Sequence, residues 1–157
     1  MLLVHFYKSF YLTRRAYLIA GGVILLMAVA YFFPFIAFAA RLAGLVLVGC
    51  VILDIFLLYG GSGHVEATRE APTRFSNGDP NTVTLHVRNV FPFPLRATVI
   101  DELPLQFQER SWKRYLALKA GETTALPYTL TPKQRGVYNF GQLHLFVASP
   151  LSLVRRR

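Results

Sequence analysis

Few residues in this chain could do chemistry, and their spacing argues against a reaction centre. His64, His86 and His144 are scattered through the second half of the chain, and His86 and His144 sit within alternating, strand-like runs as polar-face members. Solvated histidines are expected there, not ligands. Asp101-Glu102 is an adjacent acidic pair. Successive strand residues face opposite ways, so the two carboxyls do not converge as an acid/base couple. Cys50 is the single cysteine and lies in an apolar run, which suits a small packing residue. No disulfide framework or metal-ligand spacing is present. Nucleophile elbow, Walker loop, dinucleotide fingerprint and HExxH are likewise missing. The expectation is a protein that is not an enzyme and needs no cofactor.

Two charged residues stand out because of where they lie. Arg41 and Asp54 interrupt an apolar stretch, and ionisable residues at membrane depth are functional candidates by default. They are thirteen residues apart, which puts them on roughly opposite sides of a helix. Each is also about one and a half turns from its own end of the stretch, close enough to reach the interface. Interfacial anchoring is therefore expected of both, with Asp54 also a candidate for hairpin packing. A conducted-ion path would want the two on one face. In the second half, Arg135-Gly136 reads as a turn before a strand, with Arg135 a candidate brace for Asp101.

These residues are positioned by two kinds of element. Ala16 to Tyr59 is almost unbroken apolar sequence, with Pro34 near its middle. A bilayer core needs roughly 20 apolar residues per spanning helix. The halves 16–33 and 35–59 supply eighteen and twenty-five. Proline cannot continue a helix and restricts the residue before it, so two spans meeting in a tight turn are expected. Ala16, Ala20 and Ala28 share a helical face, and Ala39/Ala43 and Ala40/Gly44 repeat small residues four apart. That spacing suits close helix packing within the hairpin or a dimer face.

The segment 1–15 is rich in Leu, Phe and Tyr. Leu3, Tyr7, Phe10 and Tyr11 suggest a short interfacial helix with tyrosines at headgroup depth. The apolar run after Arg14-Arg15 is longer than a signal-peptide core and leads into a second one, so cleavage near Ala37-Phe38-Ala39 is not expected. Lys8, Arg14 and Arg15 before the first span place the N-terminus, and the domain after the second span, in the cytoplasm.

Gly60-Gly61-Ser62-Gly63 is a flexible link. Beyond it the chain alternates and turns like β structure. Expected strands are 65–69, 82–89, 95–100, 115–118, 123–130, 137–140 and 142–147, with turns at Ser76–Asn81 and Lys119–Glu122. An immunoglobulin-like β-sandwich over 64–154 follows, with a basic tail at 155–157. The whole is an α+β membrane protein: a two-helix transmembrane hairpin (16–60) and an all-β domain. Of the net charge of +9, residues 1–60 carry +3 and the remainder +6. Basic residues beside anionic lipid account for this; no basic stripe interleaved with aromatics points to nucleic acid.

The residues also resemble a known family. Phe6-Tyr7-Lys8-Ser9, Phe32-Phe33-Pro34-Phe35, Leu53-Asp54, Ser76-Asn77-Gly78-Asp79, Phe91-Pro92-Phe93-Pro94 and Asp101-Glu102-Leu103-Pro104 carry the likeness. So do Leu130-Thr131-Pro132, the run from Arg135 to Gly141, and Ser149-Pro150-Leu151-Ser152-Leu153. Together they look like the N-terminal part of the bacterial membrane proteins grouped as domain of unknown function 58. That resemblance implies a two-span hairpin, a β-sandwich, a von Willebrand factor A-like region, and association with MoxR-type AAA+ ATPases in the assembly of complexes. It also implies the bacterial inner membrane. This chain departs by ending at Arg157, before the von Willebrand-like region, so a truncated or split product is expected, and it has Ser152 where relatives usually have glycine. The leading expectation is a non-enzymatic interaction or scaffold module. The alternatives are an accessory subunit of a transport system and an envelope-facing binding domain.

Overall fold

The computed structural model describes residues 9–107 and 112–157. The chain divides into two compact units: the residues up to Ser62 together with Ala148–Arg157, and Gly63–Val147.

The first unit is built on two helices, α1 (Arg14–Phe32) and α2 (Ala37–Tyr59), joined by a 3-10 turn at Pro34–Ile36. Thr13 caps α1, its hydroxyl oxygen accepting from the Ala16 amide at 3.3 Å. Phe33, before the proline, leaves helical geometry at φ −125°, ψ 83°. Pro34 then opens the 3-10 turn, where its missing N–H costs nothing. At 1.5 Å per residue, nineteen and twenty-three residues give helices of about 28 and 34 Å.

Small residues form the seam between the two helices. Ala16, Ala30 and Ala40 are buried. A Cβ added at Gly44 would come within 2.6 Å of the Met27 methyl. The Ala40/Gly44 spacing thus serves close approach inside the hairpin, whereas Ala28 and Ala39 face outward. The outer faces are apolar as well: Ile24, Leu25, Phe35 and Leu45 are 66–83% exposed.

Two short strands complete this unit. β1 (Phe10–Leu12) pairs antiparallel with β8 (Val154–Arg156), Phe10 opposite Arg156 and Leu12 opposite Val154. Two sequence expectations are corrected here. Phe10 and Tyr11 lie in an extended ladder, not an interfacial helix; Leu3 and Tyr7 fall outside the described residues. Arg155 and Arg156 are strand residues, not a free basic tail. A strand partner far along the chain overrides the local helical spacing.

The second unit contains β2 (Val65–Glu70), β3 (Asn81–Asn89), β4 (Leu95–Asp101), β5 (Trp112–Leu118), β6 (Thr123–Leu130) and β7 (Leu143–Ala148). One sheet runs β2-β3-β6, and in the other β7, β4 and β5 are neighbours in that order. Their pairings, where registers are defined, are antiparallel. This is a β-sandwich with the strand order of immunoglobulin-like domains, β5 lying beside β4 as a C′ strand lies beside C.

Val83, Leu85 and Val87 on β3 are fully buried, and Leu95, Ala97 and Val99 on β4 are nearly so. The other face of β3 carries Thr84, His86 and Arg88, as strict alternation requires. Gly78 and Gly121 hold φ of +84° and +70° in the two expected turns. Buried Asn89 stitches the loop after β3 to the β5–β6 turn, donating to the Phe93 and Lys119 carbonyls at 3.0 and 2.8 Å.

Most strand boundaries fall within a few residues of those expected, with one exception. Val137–Phe140 forms no strand; it lies in an irregular loop between β6 and β7. Its two aromatic residues pack against rings outside the loop, Tyr138 on Phe75 and Phe107, and Phe140 on Phe75.

Candidate functional site

Asp54 lies on α2 and is fully buried. Neither interfacial anchoring nor contact with α1 accounts for it. Ser149 donates its hydroxyl hydrogen to Oδ1. The amides of Leu153 and Val154 both donate to Oδ2, at 2.9 and 2.6 Å. Ser149 Oγ in turn accepts from the Leu151 amide at 3.1 Å, and the Ser152 hydroxyl donates to the Ser149 carbonyl at 2.9 Å. Thr13 closes the arrangement by donating to the Ser152 carbonyl at 2.6 Å. Arg156 reaches the Leu58 carbonyl at 2.5 Å and lies over the Tyr59 ring at 5.0 Å.

Asp54 therefore clasps residues 149–154 to the helix. The expectation for this residue is corrected because its donors come from the far end of the chain. Ser152 sits in this clasp at φ +55°, the only non-glycine residue with positive φ among those described. That conformation is one that glycine adopts without steric cost, so Ser152 is strained there.

Arg41 is exposed on α2 and stands apart from Asp54. It lines a small cavity of about 300 Å³ with Met27, Ala30, Tyr31, Ala37 and Ala40. The structure does not bring the two charged residues together.

In the second unit Asp101 is fully buried at the end of β4. Its brace is Arg69 of β2, not Arg135. Arg69 holds it through two nitrogens, Nη2 to Oδ1 and Nε to Oδ2, the latter at 3.1 Å. Tyr128 of β6 donates to Oδ2 at 2.6 Å. This cluster joins the two sheets, and the Trp112 ring stacks on Tyr128 at 4.8 Å beside it. Burial, then the hydrogen bond to Asp101 and its negative charge, raise the Tyr128 pKa well above the ordinary tyrosine value; Arg69 opposes this.

Sequence reasoning missed Arg69, although a signal was present. It shares the parity of Val65 and Ala67 on β2, so alternation turns it inward, where a cation requires a carboxylate. Arg135 is exposed in the loop between β6 and β7, and nothing lies within 4 Å of a Cβ added at Gly136. Arg135 does not brace Asp101. The histidines, expected to be solvated, each meet a glutamate: His64 with Glu66 at 3.1 Å, His86 with Glu70 at 3.0 Å, His144 with Glu102 at 2.7 Å. Two of these pairs lie on the exposed surface and contribute little.

The second unit holds a recess of about 1010 Å³. The segment 71–77 forms one wall and the loop from Pro132 to Phe140 the other. Arg74 and Arg135 line it together with Phe75, Tyr138 and Phe140. Its size suits a ligand at or above the drug-sized range.

No family model matches the chain, and no curated protein matches it. Among solved structures it is similar to the CARDB domain of the PF1109 protein from Pyrococcus furiosus, which was crystallised in complex with di-metal ions. The identity is 14% and the TM-score 0.45, over 60% of this chain and 89% of that one. A β-glucosidase from Listeria innocua, in complexes with gluconolactone and with isofagomine, is similar at 16% identity and a TM-score of 0.30. That match covers 59% of this chain but only 15% of the enzyme. These likenesses are ones of strand arrangement, and activity is not carried by them.

Proposed function

We propose that the chain is a two-pass membrane protein of the bacterial inner membrane. In this reading α1 and α2 lie in the bilayer and carry the β-sandwich as a non-enzymatic interaction module. The observation that supports it is the apolar outer surface of both helices, with Tyr31, Phe32, Phe35 and Phe38 each 75–84% exposed. Water would leave that surface uncovered, whereas lipid covers it. Arg41 is the only charged residue in the interior of either helix besides Asp54, and Asp54 is enclosed by its clasp. An enclosed carboxylate with both oxygens occupied is a structural device, which favours this reading over a transport path.

Lys8 before α1 and Arg14 and Arg15 in its first turn favour a cytoplasmic sandwich by the positive-inside rule. The partner expected there is a MoxR-type AAA+ ATPase, following the resemblance described above. Alkaline carbonate extraction of membranes from expressing cells tests the reading first: the chain stays in the pellet. Release into the supernatant overturns it. A C-terminal alkaline phosphatase fusion then tests sidedness. It should be inactive, and an active fusion would favour the envelope-facing alternative. Co-purification of a MoxR-type ATPase with the tagged chain tests the partner.

A further inference from the structure

We propose that the recess between segment 71–77 and the loop 132–140 is a preformed binding site for an acidic peptide segment bearing apolar side chains. The inference rests on reading the sandwich as an interaction module, and it names the place and the kind of partner.

Three features carry it. The first is the aromatic lining. Tyr138, Phe75 and Phe140 line the recess, Tyr138 to Phe75 and Phe75 to Phe140 having ring centroids 5.8 and 6.1 Å apart. Phe107 extends this row beyond the lining, 5.0 Å from Tyr138, and Arg69 ends it 4.7 Å above the Phe140 ring, its guanidinium tied to buried Asp101, which fixes the row to the core.

The second feature is bracing of both walls. Asn81 accepts from the Ser76 amide at 2.9 Å and donates to the Ser76 and Asp79 carbonyls at 3.0 and 2.8 Å. The Gly78 amide donates to the Pro132 carbonyl at 2.8 Å, linking one wall to the other. The Tyr138 hydroxyl donates to the Gln134 carbonyl, and Gln106 reaches the Val137 carbonyl at 3.1 Å. A recess held open in this way asks little ordering of itself when a ligand enters.

The third feature is charge. Arg74 and Arg135 line the recess, both exposed, and neither has an ion-pair partner among the described residues. None of the described residues lining it is acidic. Guanidinium forks beside aromatic faces suit carboxylates on a chain that also offers apolar contact. The volume of about 1010 Å³ exceeds what a single small anion would fill.

The test uses the full chain in nanodiscs of zwitterionic phosphatidylcholine. The probe is a labelled synthetic peptide of Asp, Glu and Phe, with an Asn, Gln and Phe peptide of equal length as its neutral twin. Fluorescence anisotropy should show the acidic peptide binding at least about tenfold more tightly than the twin. The double variant R74Q/R135Q should weaken acidic-peptide binding at least about tenfold, and salt should weaken the wild type in the same direction. Both arginines are exposed, so the melting temperature should not move. Should the double variant fail to fold, R74K/R135K replaces it; retention of charge without the fork should give an intermediate loss.

Equal binding of the two peptides, or undiminished binding by the glutamine variant, overturns the proposal. Binding of phosphatidylglycerol vesicles that needs both arginines, with no competition by the peptide, overturns it in favour of a lipid site. Failure of the peptide with retained co-purification of the ATPase removes the recess and leaves the module reading standing. Loss of co-purification with intact peptide binding does the reverse.

Discussion

Substituting Asp54 tests the clasp most directly. In D54A, Ser149 Oγ and the Leu153 and Val154 amides lose their acceptor at a site where Asp54 is fully buried. Hydrogen bonds to a charged group contribute about 1.5–3 kcal/mol each, and a buried donor left alone costs about 1–3 kcal/mol. The three are not additive, since residues 149–154 can turn outward and recover water. About 4 kcal/mol for release of that segment is a working value.

D54N is gentler. Its carbonyl oxygen can stay where Oδ2 now accepts both amides. Its NH₂ must then face Ser149 Oγ, which already accepts from Leu151 at 3.1 Å and from Ser152 at 3.4 Å. The charge and one hydrogen bond are lost, for about 2 kcal/mol. Hydrogen exchange on the full chain in detergent micelles reads these numbers. At 1.4 kcal/mol per decade, the Leu153 and Val154 amides should exchange about 30-fold faster in D54N and about 700-fold faster in D54A. Amides in mid α1 should be unchanged, and Arg41→Gln should alter neither set. Unchanged exchange at Leu153 and Val154 in D54A would refute the clasp.

Three further outcomes follow from the same geometry. Arg69→Ala leaves Asp101 buried without its cation and should cost about 3–5 kcal/mol of sandwich stability, read by thermal or denaturant unfolding; the apolar triple variant R69M/D101L/Y128F should recover most of it. Tyr128 keeps its proton in the fold at pH values where the unfolded chain gives its own up, near pH 10. The stability this supplies is complete below that pH and falls as pH rises above it, so the alkaline decline should be shallower in Y128F, which gives up about 1.5 kcal/mol at neutral pH with the Asp101 hydrogen bond; identical alkaline profiles would contradict this. At Ser152, glycine relieves the positive φ but loses the hydroxyl bond to Ser149, two effects of about 1 kcal/mol that oppose, so S152G should change Leu153 exchange less than fivefold while S152V accelerates it more than tenfold.

What could be read from the sequence was what short-range physics decides. Pro34 and two apolar runs of membrane length dictate the helix pair, and strict alternation with turn residues on both sides dictates β3 and β6. Val137–Phe140 misled because its alternation also arises where Tyr138 and Phe140 pack against rings outside the loop. The clasp was not legible: the donors to Asp54 lie ninety-five to one hundred residues further along the chain, two of them backbone amides whose placement no side-chain pattern encodes. The Asp101 brace was nearer to legible. Parity on β2 points Arg69 inward, while Arg135 attracted the assignment only because it precedes a glycine.

The two buried carboxylates differ in a way that bears on what each does. Asp101 is satisfied by side chains, Arg69 and Tyr128, so every partner can be exchanged for an apolar one and the charge cluster is dispensable for packing. Two of the three donors to Asp54 are main-chain amides that no substitution other than proline removes. An apolar residue there would leave them without that acceptor in a buried site. A carboxylate is thus the side chain that serves two adjacent amides and a hydroxyl at once, and the burial of a charge on α2 follows from the path of residues 149–154. The same path sets Ser152 at positive φ and delivers Val154 to its pairing with Leu12. Asp54 is therefore better understood as the residue that registers the returning chain on α2 than as a charge retained for passage through the membrane.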